Sequence, residues 1–205
     1  DLVYIHMWVT PLGSSFFERL YRLLSRRLIY DIEDNIILAK SNVLNPLVTM
    51  LKGSGKARHL IKNSDHVVSS SPFLNDYCLG INRRKASTYI SSSVNSNRFT
   101  PANAYNNKKT VTIGWTGTFS SKEYLDLLRD VFFELNKRID FKLRVIGNFQ
   151  YDLPGIDLEV IQWTKETEVE DLQGIDIGIY PLVQDDWVLG KSGLKAIQYL
   201  SLIHI

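Results

Sequence analysis

Three places in the chain put glycine or other small residues where a strand should end. They are Gly114-Trp115-Thr116-Gly117-Thr118, Gly147-Asn148 and Gly190-Lys191-Ser192-Gly193. Turns of this composition let backbone N–H groups approach a phosphate, and a helix amino end adds partial positive charge. Lys122 begins one expected helix and Lys191 stands beside the start of the last. The helix dipole alone disfavours cations there, so a bound anion would relieve both. Spacing also permits ordinary turn glycines and exposed lysines, because a lone Gly-rich turn is a weak signal. Asp185 and Asp186, just before Trp187, are either a solvated loop pair or ligands for sugar hydroxyls.

Other chemistries lack their residues. His6, His59, His66 and His204 are far apart and none shares a ligand spacing with another His or Cys, so no metal site is expected. There is no Gly-x-Ser-x-Gly elbow and no P-loop. No Gly-x-Gly-x-x-Gly follows a strand with an acidic residue ~20 positions on, which disfavours a dinucleotide-dependent oxidoreductase.

With 205 residues, 44% hydrophobic and 22% charged, the chain can bury a core as one large domain or two small ones. Its 24 basic and 22 acidic residues are scattered, which gives no reason to expect nucleic acid as a partner. The stretch from Lys52 to Lys62 and the triplet Arg83-Arg84-Lys85 are locally basic. Each is a solvated face or a contact for a phosphate or an anionic lipid surface, so peripheral membrane contact stays open. Cys78 alone excludes an internal disulfide, suits a reducing compartment and reads as a small buried apolar residue. No apolar run reaches the ~18 residues a membrane span needs. The opening Asp1-Leu2-Val3-Tyr4 has no signal-peptide layout and reads as entry in mid-domain.

The elements that must position these residues alternate. Strands are expected over Leu2 to Val9, Leu28 to Asp31, Asp65 to Ser69 and Thr88 to Ser91. Helices are expected over Phe16 to Arg26, Leu44 to Asn63 (broken near Gly53 and Gly55) and Ser71 to Cys78. The Ser- and Asn-rich stretch between Ser92 and Lys109 reads as a linker. Beyond it come strand Thr110 to Trp115, helix Lys122 to Arg138 with Tyr124, Leu128, Val131 and Leu135 as its buried stripe, and strands Phe141 to Ile146 and Leu158 to Gln162. A short helix Lys165 to Gln173, strand Ile175 to Tyr180, a polar loop and a helix from Gly193 follow. Alternation of this kind implies α/β architecture with parallel sheets.

Asp176-Ile177-Gly178-Ile179-Tyr180-Pro181-Leu182, then Asp185-Asp186-Trp187, Gly190-Lys191-Ser192-Gly193 and Lys195-Ala196-Ile197-Gln198-Tyr199-Leu200, resemble the donor-site signature of group 1 (family 4) glycosyltransferases. Val94-Asn95-Ser96-Asn97-Arg98-Phe99-Thr100-Pro101 is similar to the family's linker segment, and Ile113 to Thr118 to the first strand and loop of its donor domain. Ile29-Tyr30-Asp31-Ile32-Glu33-Asp34 resembles an acidic-strand variant of its acceptor domain. The resemblance implies the GT-B type, two Rossmann-like domains with parallel sheets, both incomplete: 1–100 as the acceptor-side domain, 101–109 as linker, 110–201 as the nucleotide-sugar domain, and 202–205 as a truncation scar. It also implies that the family's first strands belong before Asp1.

By the same resemblance, the donor-binding set is Thr116, Gly117, Thr118, Lys122, Gly147, Gly190, Lys191, Ser192, Gly193, Leu194 and Gln198. Lys122 and Lys191 are the cations for catalysis, and Asp31 and Asp34 the acceptor-side residues. The implied activity is retaining, metal-independent transfer from a nucleotide-diphosphate sugar to a glycan, lipid or protein acceptor, without cofactor. Such enzymes build bacterial-type polysaccharide or glycoconjugate in the cytoplasm, at the inner face of the membrane. The chain departs from the pattern where the family's paired glutamates would fall, at Gly190 and Gln198, and where its arginine would fall, at Gly117-Thr118. Its acceptor-domain histidine has no counterpart in the aligned segment, where Asp31 or Asp34 lies nearest. These departures keep open a non-catalytic sugar-nucleotide-binding or interaction module of the same fold.

Overall fold

The computed structural model describes residues 1–10, 14–33, 35–36, 54–102 and 110–202. Asp34, the expected helical residues 44–53, most of the 101–109 linker and residues 203–205 lie outside the described residues. The chain divides into two compact units, Asp1–Ser92 with Gln184–Ser192, and Ser93–Val183 with Gly193–Ile205.

The first unit is a four-stranded parallel sheet in the order β1 (Leu2–His6), β2 (Arg27–Ile32), β3 (His66–Ser69), β4 (Ser87–Tyr89). Strand β2 alternates as a strand packed on one face must: Leu28, Tyr30 and Ile32 are buried, and Arg27, Ile29 and Asp31 are less so. Helices α1 (Phe16–Leu24), α2 (Ser54–Asn63) and α3 (Pro72–Ile81) connect the strands. Ser71 caps α3 by accepting from the Leu74 N–H at 3.2 Å, and Pro72 occupies the first turn, where its missing N–H costs nothing. Leu60, Ile61, Val67 and Cys78 close the core beneath β2. Burial pushes the Cys78 thiol up to about 12.

Phe16, Phe17, Leu20, Leu23 and Leu24 recur with helical spacing, and α1 turns most of them outward. Leu23 is 80% exposed and Glu18 is fully buried. Spacing fixes the width of a stripe, while the burial of the Glu18–Lys56 ion pair at 3.8 Å fixes which side faces in.

In the second unit the parallel order is β7 (Asp157–Gln162), β6 (Phe141–Gly147), β5 (Val111–Gly117), β8 (Ile177–Gly178). Trp115, Phe132, Phe141, Leu143 and Val145 form its centre. The helix expected over 122–138 is two, α4 (Lys122–Asp126) and α5 (Arg129–Asn136). A tight turn, with the Leu128 N–H donating to Leu125 O at 3.0 Å, shifts the phase. Val131 is thereby exposed and Phe132 takes the core position. Helix α6 (Glu168–Gln173) precedes β8. Of the strand expected over Ile175 to Tyr180 only Ile177–Gly178 pairs, since Ile175 is spent on the core and Asp176 accepts from Thr112 N at 2.8 Å.

The expected polar loop contains α7 (Asp186–Leu189), which packs with the first unit. Helix α8 (Leu194–Leu202) ends the described chain. Two boundaries move. Val94 and Phe99, assigned to the first domain, pack with Ile146, Leu172 and Tyr199 in the second unit, and Leu202, assigned to the scar, is a buried helical residue of the same cluster.

Candidate functional site

β6 and β7 extend the second sheet to one side of β5, and β8 returns on the other side. The carboxyl ends of β5 and β8 therefore flank a topological switch point, where open α/β sheets bind ligands. Helix α8 is fixed there by Tyr199, whose hydroxyl accepts from the Thr116 N–H at 3.0 Å. Burial raises the Tyr199 phenol well above its ordinary range, so the acceptor is a neutral hydroxyl. Its ring fills the space beside Gly178, where an added Cβ would lie 2.6 Å from ring carbon Cγ.

One turn before Tyr199 in the same helix, Lys195 Nζ stands 4.9 Å from the Trp115 ring centroid and 5.5 Å from that of Tyr180. Two aromatic faces thus hold a cation at the switch point. Gly193, at the mouth of α8, has φ +70°, and a Cβ added there would meet nothing within 4 Å, so the left-handed backbone and not space demands glycine. Gln198 Nε2 donates to Glu168 Oε1 at 3.2 Å. The same carboxylate accepts from Trp163 Nε1 at 3.3 Å and pairs with Arg98 at 3.1 Å.

The turn after β5 is closed by its own side chains: Thr118 and Ser121 cap each other's backbone N–H groups reciprocally. Asn148 Oδ1 accepts from Phe119 N at 3.1 Å and latches the turn to the end of β6. Gly117 and Gly147 are register partners with packing reasons of their own, a Cβ at the first lying 2.2 Å from the Trp115 ring and at the second 2.6 Å from Gly117 O. Lys122 Nζ lies 5.7 Å from the Tyr151 ring centroid.

In the first unit, parallel register sets His6 opposite Asp31 at the carboxyl ends of β1 and β2. His6 Nδ1 is 3.1 Å from Asp31 Oδ2, and His6 Nε2 is 3.9 Å from Glu33. Tyr4 donates its hydroxyl to Asp31, and that bond is the main reason its phenol is pushed up to about 12. An imidazole oriented by a carboxylate beside a second carboxylate is an arrangement that binds and polarises a hydroxyl. On the segment 184–192, Asp185 caps α7 by accepting from Val188 N at 2.8 Å, and Asn35 Nδ2 donates to Asp186 O at 2.8 Å. A Cβ on Gly190 would lie 2.3 Å from the Asn35 Cβ, and Lys191 Nζ stands 5.6 Å from the Trp187 ring centroid.

No family model matches the sequence, and no curated protein matches it. Solved structures do. A sucrose-phosphate synthase from Thermosynechococcus elongatus superposes with TM-score 0.59 at 11% identity, covering 89% of this chain and 52% of that one. The catalytic domain of starch synthase IV from Arabidopsis thaliana, bound to ADP and acarbose, superposes with TM-score 0.56 at 12% identity, covering 99% of this chain and 56% of that one. Both are glycosyltransferases of the GT-B fold. The chain has the GT-B fold. It spans about half the length of either solved structure.

The GT-B arrangement sorts the residues singled out from sequence. Thr116, Gly117, Thr118 and Gly147 gather at the ends of β5 and β6, with Gly193, Leu194 and Gln198 on the approach to and along α8. Gly190, Lys191 and Ser192 belong by packing to the other unit, so the division of the chain falls inside the motif. Sequence reasoning passed over Lys195, Glu168, Asn35 and His6. Lys195 was inside the quoted motif, and His6 would have been found by pairing the ends of the first two strands. Nothing in the spacing points to Glu168. Among the described residues no group of three or more His, Cys, Asp or Glu side chains is arranged to hold a metal ion, and no helix is long and apolar enough to cross a membrane.

Proposed function

We propose that the chain belongs to a glycosyltransferase that moves a sugar from a nucleotide-diphosphate donor to an acceptor hydroxyl. The observation that carries this reading is Lys195, held over Trp115 and Tyr180 beside the Thr116–Thr118 turn at the switch point of the second sheet. A fixed cation there suits the charge that develops on a leaving diphosphate, and stabilising it needs no metal. In the transfer, the anomeric C–O bond to the diphosphate breaks, the acceptor oxygen bonds to that carbon, and the hydroxyl proton passes to the diphosphate or a neighbouring base. Retention of configuration belongs to the same proposal.

Gln198, oriented by Glu168, supports donor-hydroxyl recognition: its amide N–H is committed to the carboxylate, which leaves its carbonyl oxygen as acceptor. His6 with Asp31 supports the acceptor side. Bacterial-type polysaccharide or glycoconjugate synthesis, with a glycan, lipid or protein acceptor on the cytoplasmic side of a membrane, is the setting this chemistry fits.

Titration with UDP- and GDP-sugars, followed by an assay for free diphosphate, tests the reading. Saturable binding of one donor, with diphosphate release on adding acceptor, is expected. The missing carboxylates at Gly190 and Gln198 favour a second reading, a sugar-nucleotide-binding module without turnover. Tight donor binding with no release on any acceptor selects it. Failure to bind any sugar nucleotide excludes both.

A further inference from the structure

Helix α1 is amphipathic and turned inside out. At about 100° per residue, Phe16, Phe17, Leu20, Tyr21, Leu23 and Leu24 fall within an arc of roughly 160°, with Glu18 and Arg22 on the opposite side. The polar side is the one packed inward: Glu18 meets Lys56, and Arg22 reaches Asp65 at 3.4 Å. The apolar arc faces water, with Leu24 73% and Phe16 61% exposed. Contiguous exposed apolar surface of this kind marks an interaction site.

The surroundings are cationic. The carboxylate of Asp65, itself nearly buried, is shared by Arg22, Arg27 and Arg84, the last at 2.7 Å. Three guanidinium groups on one carboxylate leave a positive surplus at the carboxyl end of α1. Arg26 adds to it in sequence, and Arg83 is beside the cluster through Arg84. Arg19 stands on α1 itself, and after burial it is the next cause that depresses the protonation of His59.

We propose that this face docks on an anionic lipid surface, with the leucines and phenylalanines of α1 entering the headgroup boundary and the arginines meeting lipid phosphates. An apolar protein partner would account for Leu23 and Leu24 but would leave the surplus arginines unmatched. An anionic bilayer complements both features, the pattern of an interfacial helix. The proposal stands apart from the donor reading, which concerns the other unit.

The test is co-sedimentation of the 205-residue chain with phosphatidylcholine vesicles, with and without phosphatidylglycerol, with circular dichroism to verify the fold of each variant. Binding is expected only to the anionic vesicles and should weaken as salt rises. Arg26→Gln should lower the vesicle partition constant about fivefold. The double change Leu23→Ser with Leu24→Ser should lower it at least about tenfold, with melting temperature unchanged because both side chains lie in water. Equal binding to neutral vesicles, no binding at all, or unchanged binding by the leucine variant overturns the proposal. So does self-association without lipid that the same leucine changes abolish, which would make the partner a second copy of the chain.

Discussion

Thr116 and Tyr199 are 83 residues apart and meet because a helix of the second unit packs on its own sheet, whereas His6 and Asp31, 25 apart, meet because two neighbouring strands of the first unit share a register. The first contact is part-buried, and it fixes the position of a whole helix with Lys195 on it. The second is exposed and fixes only its own side chains. On the proposed function, the contrast separates binding from reactivity. A donor-side group should be costly to fold around and rigid, while an acceptor-side group can stay wet and adjustable. Changes on the two sides should therefore break different quantities.

The largest effect is expected on the exposed side. Asp31→Ala releases the His6 imidazole and the Tyr4 hydroxyl from their shared carboxylate, and misplacing the group proposed to meet the acceptor should cut turnover about 100-fold. Donor affinity, measured by titration, should stay at the wild-type value, and so should the melting temperature. Weakened donor binding in Asp31→Ala would mean that the two sides are not separate. Lys195→Ala should do the reverse. Loss of a charge-assisted contact to diphosphate is expected to raise the donor Kd about 10- to 100-fold. Binding of the free nucleoside, which lacks the phosphates, should be unaltered, a control that a mere packing defect would fail.

Smaller again is the contact that holds the donor side together. Tyr199→Phe keeps the ring against Gly178 but leaves the Thr116 N–H without its acceptor, at a cost of about 1–3 kcal/mol in chemical denaturation. The variant also carries a pH signature. The Tyr199 pKa is raised in the fold, so the unfolded chain releases this proton first. Its contribution is full below about pH 10 and is lost as pH rises beyond it. Tyr199→Phe should therefore lose less stability in alkali than the wild type does.

How much of this was legible follows from the same contrast. The alternation of short apolar runs with helical stripes was enough for parallel α/β sheets, and the Tyr180-to-Tyr199 motif was enough to mark the segment that carries the candidate site of the second unit, because both are local in sequence. Lys195 stood inside that motif, yet its meaning depends on Trp115 and Tyr180, which only the order β6-β5-β8 brings to it. Glu168 enters the site from α6 by tertiary packing and has no local signal. The helix from Lys122 reads as one because a tight turn at Leu128 leaves no mark in the stripe; Tyr124, Leu128 and Leu135 keep their places on the core, and Phe132 takes the place expected of Val131. In α1 the periodicity marks the helix but not the side that faces in, since burial of Glu18 against Lys56 is invisible to a count of apolar residues.

The smallest expected effect tests that inverted helix. His59 lies in α2, which packs against α1, and its protonation is depressed first by burial and then by Arg19; Glu18 opposes and Arg83 adds to the effect. A histidine that resists protonation in the fold but not in the unfolded chain makes stability rise with pH. The first unit should hold its full stability above about pH 6.5 and lose a modest part of it as pH falls below that value. His59→Gln should flatten the acid limb of a denaturation-midpoint profile while leaving the alkaline limb, where Tyr199 acts, unchanged. If the acid limb of the variant stayed as steep as that of the wild type, His59 would not be a group whose protonation the fold resists, and its half-buried seat in α2 against α1 would fall with it.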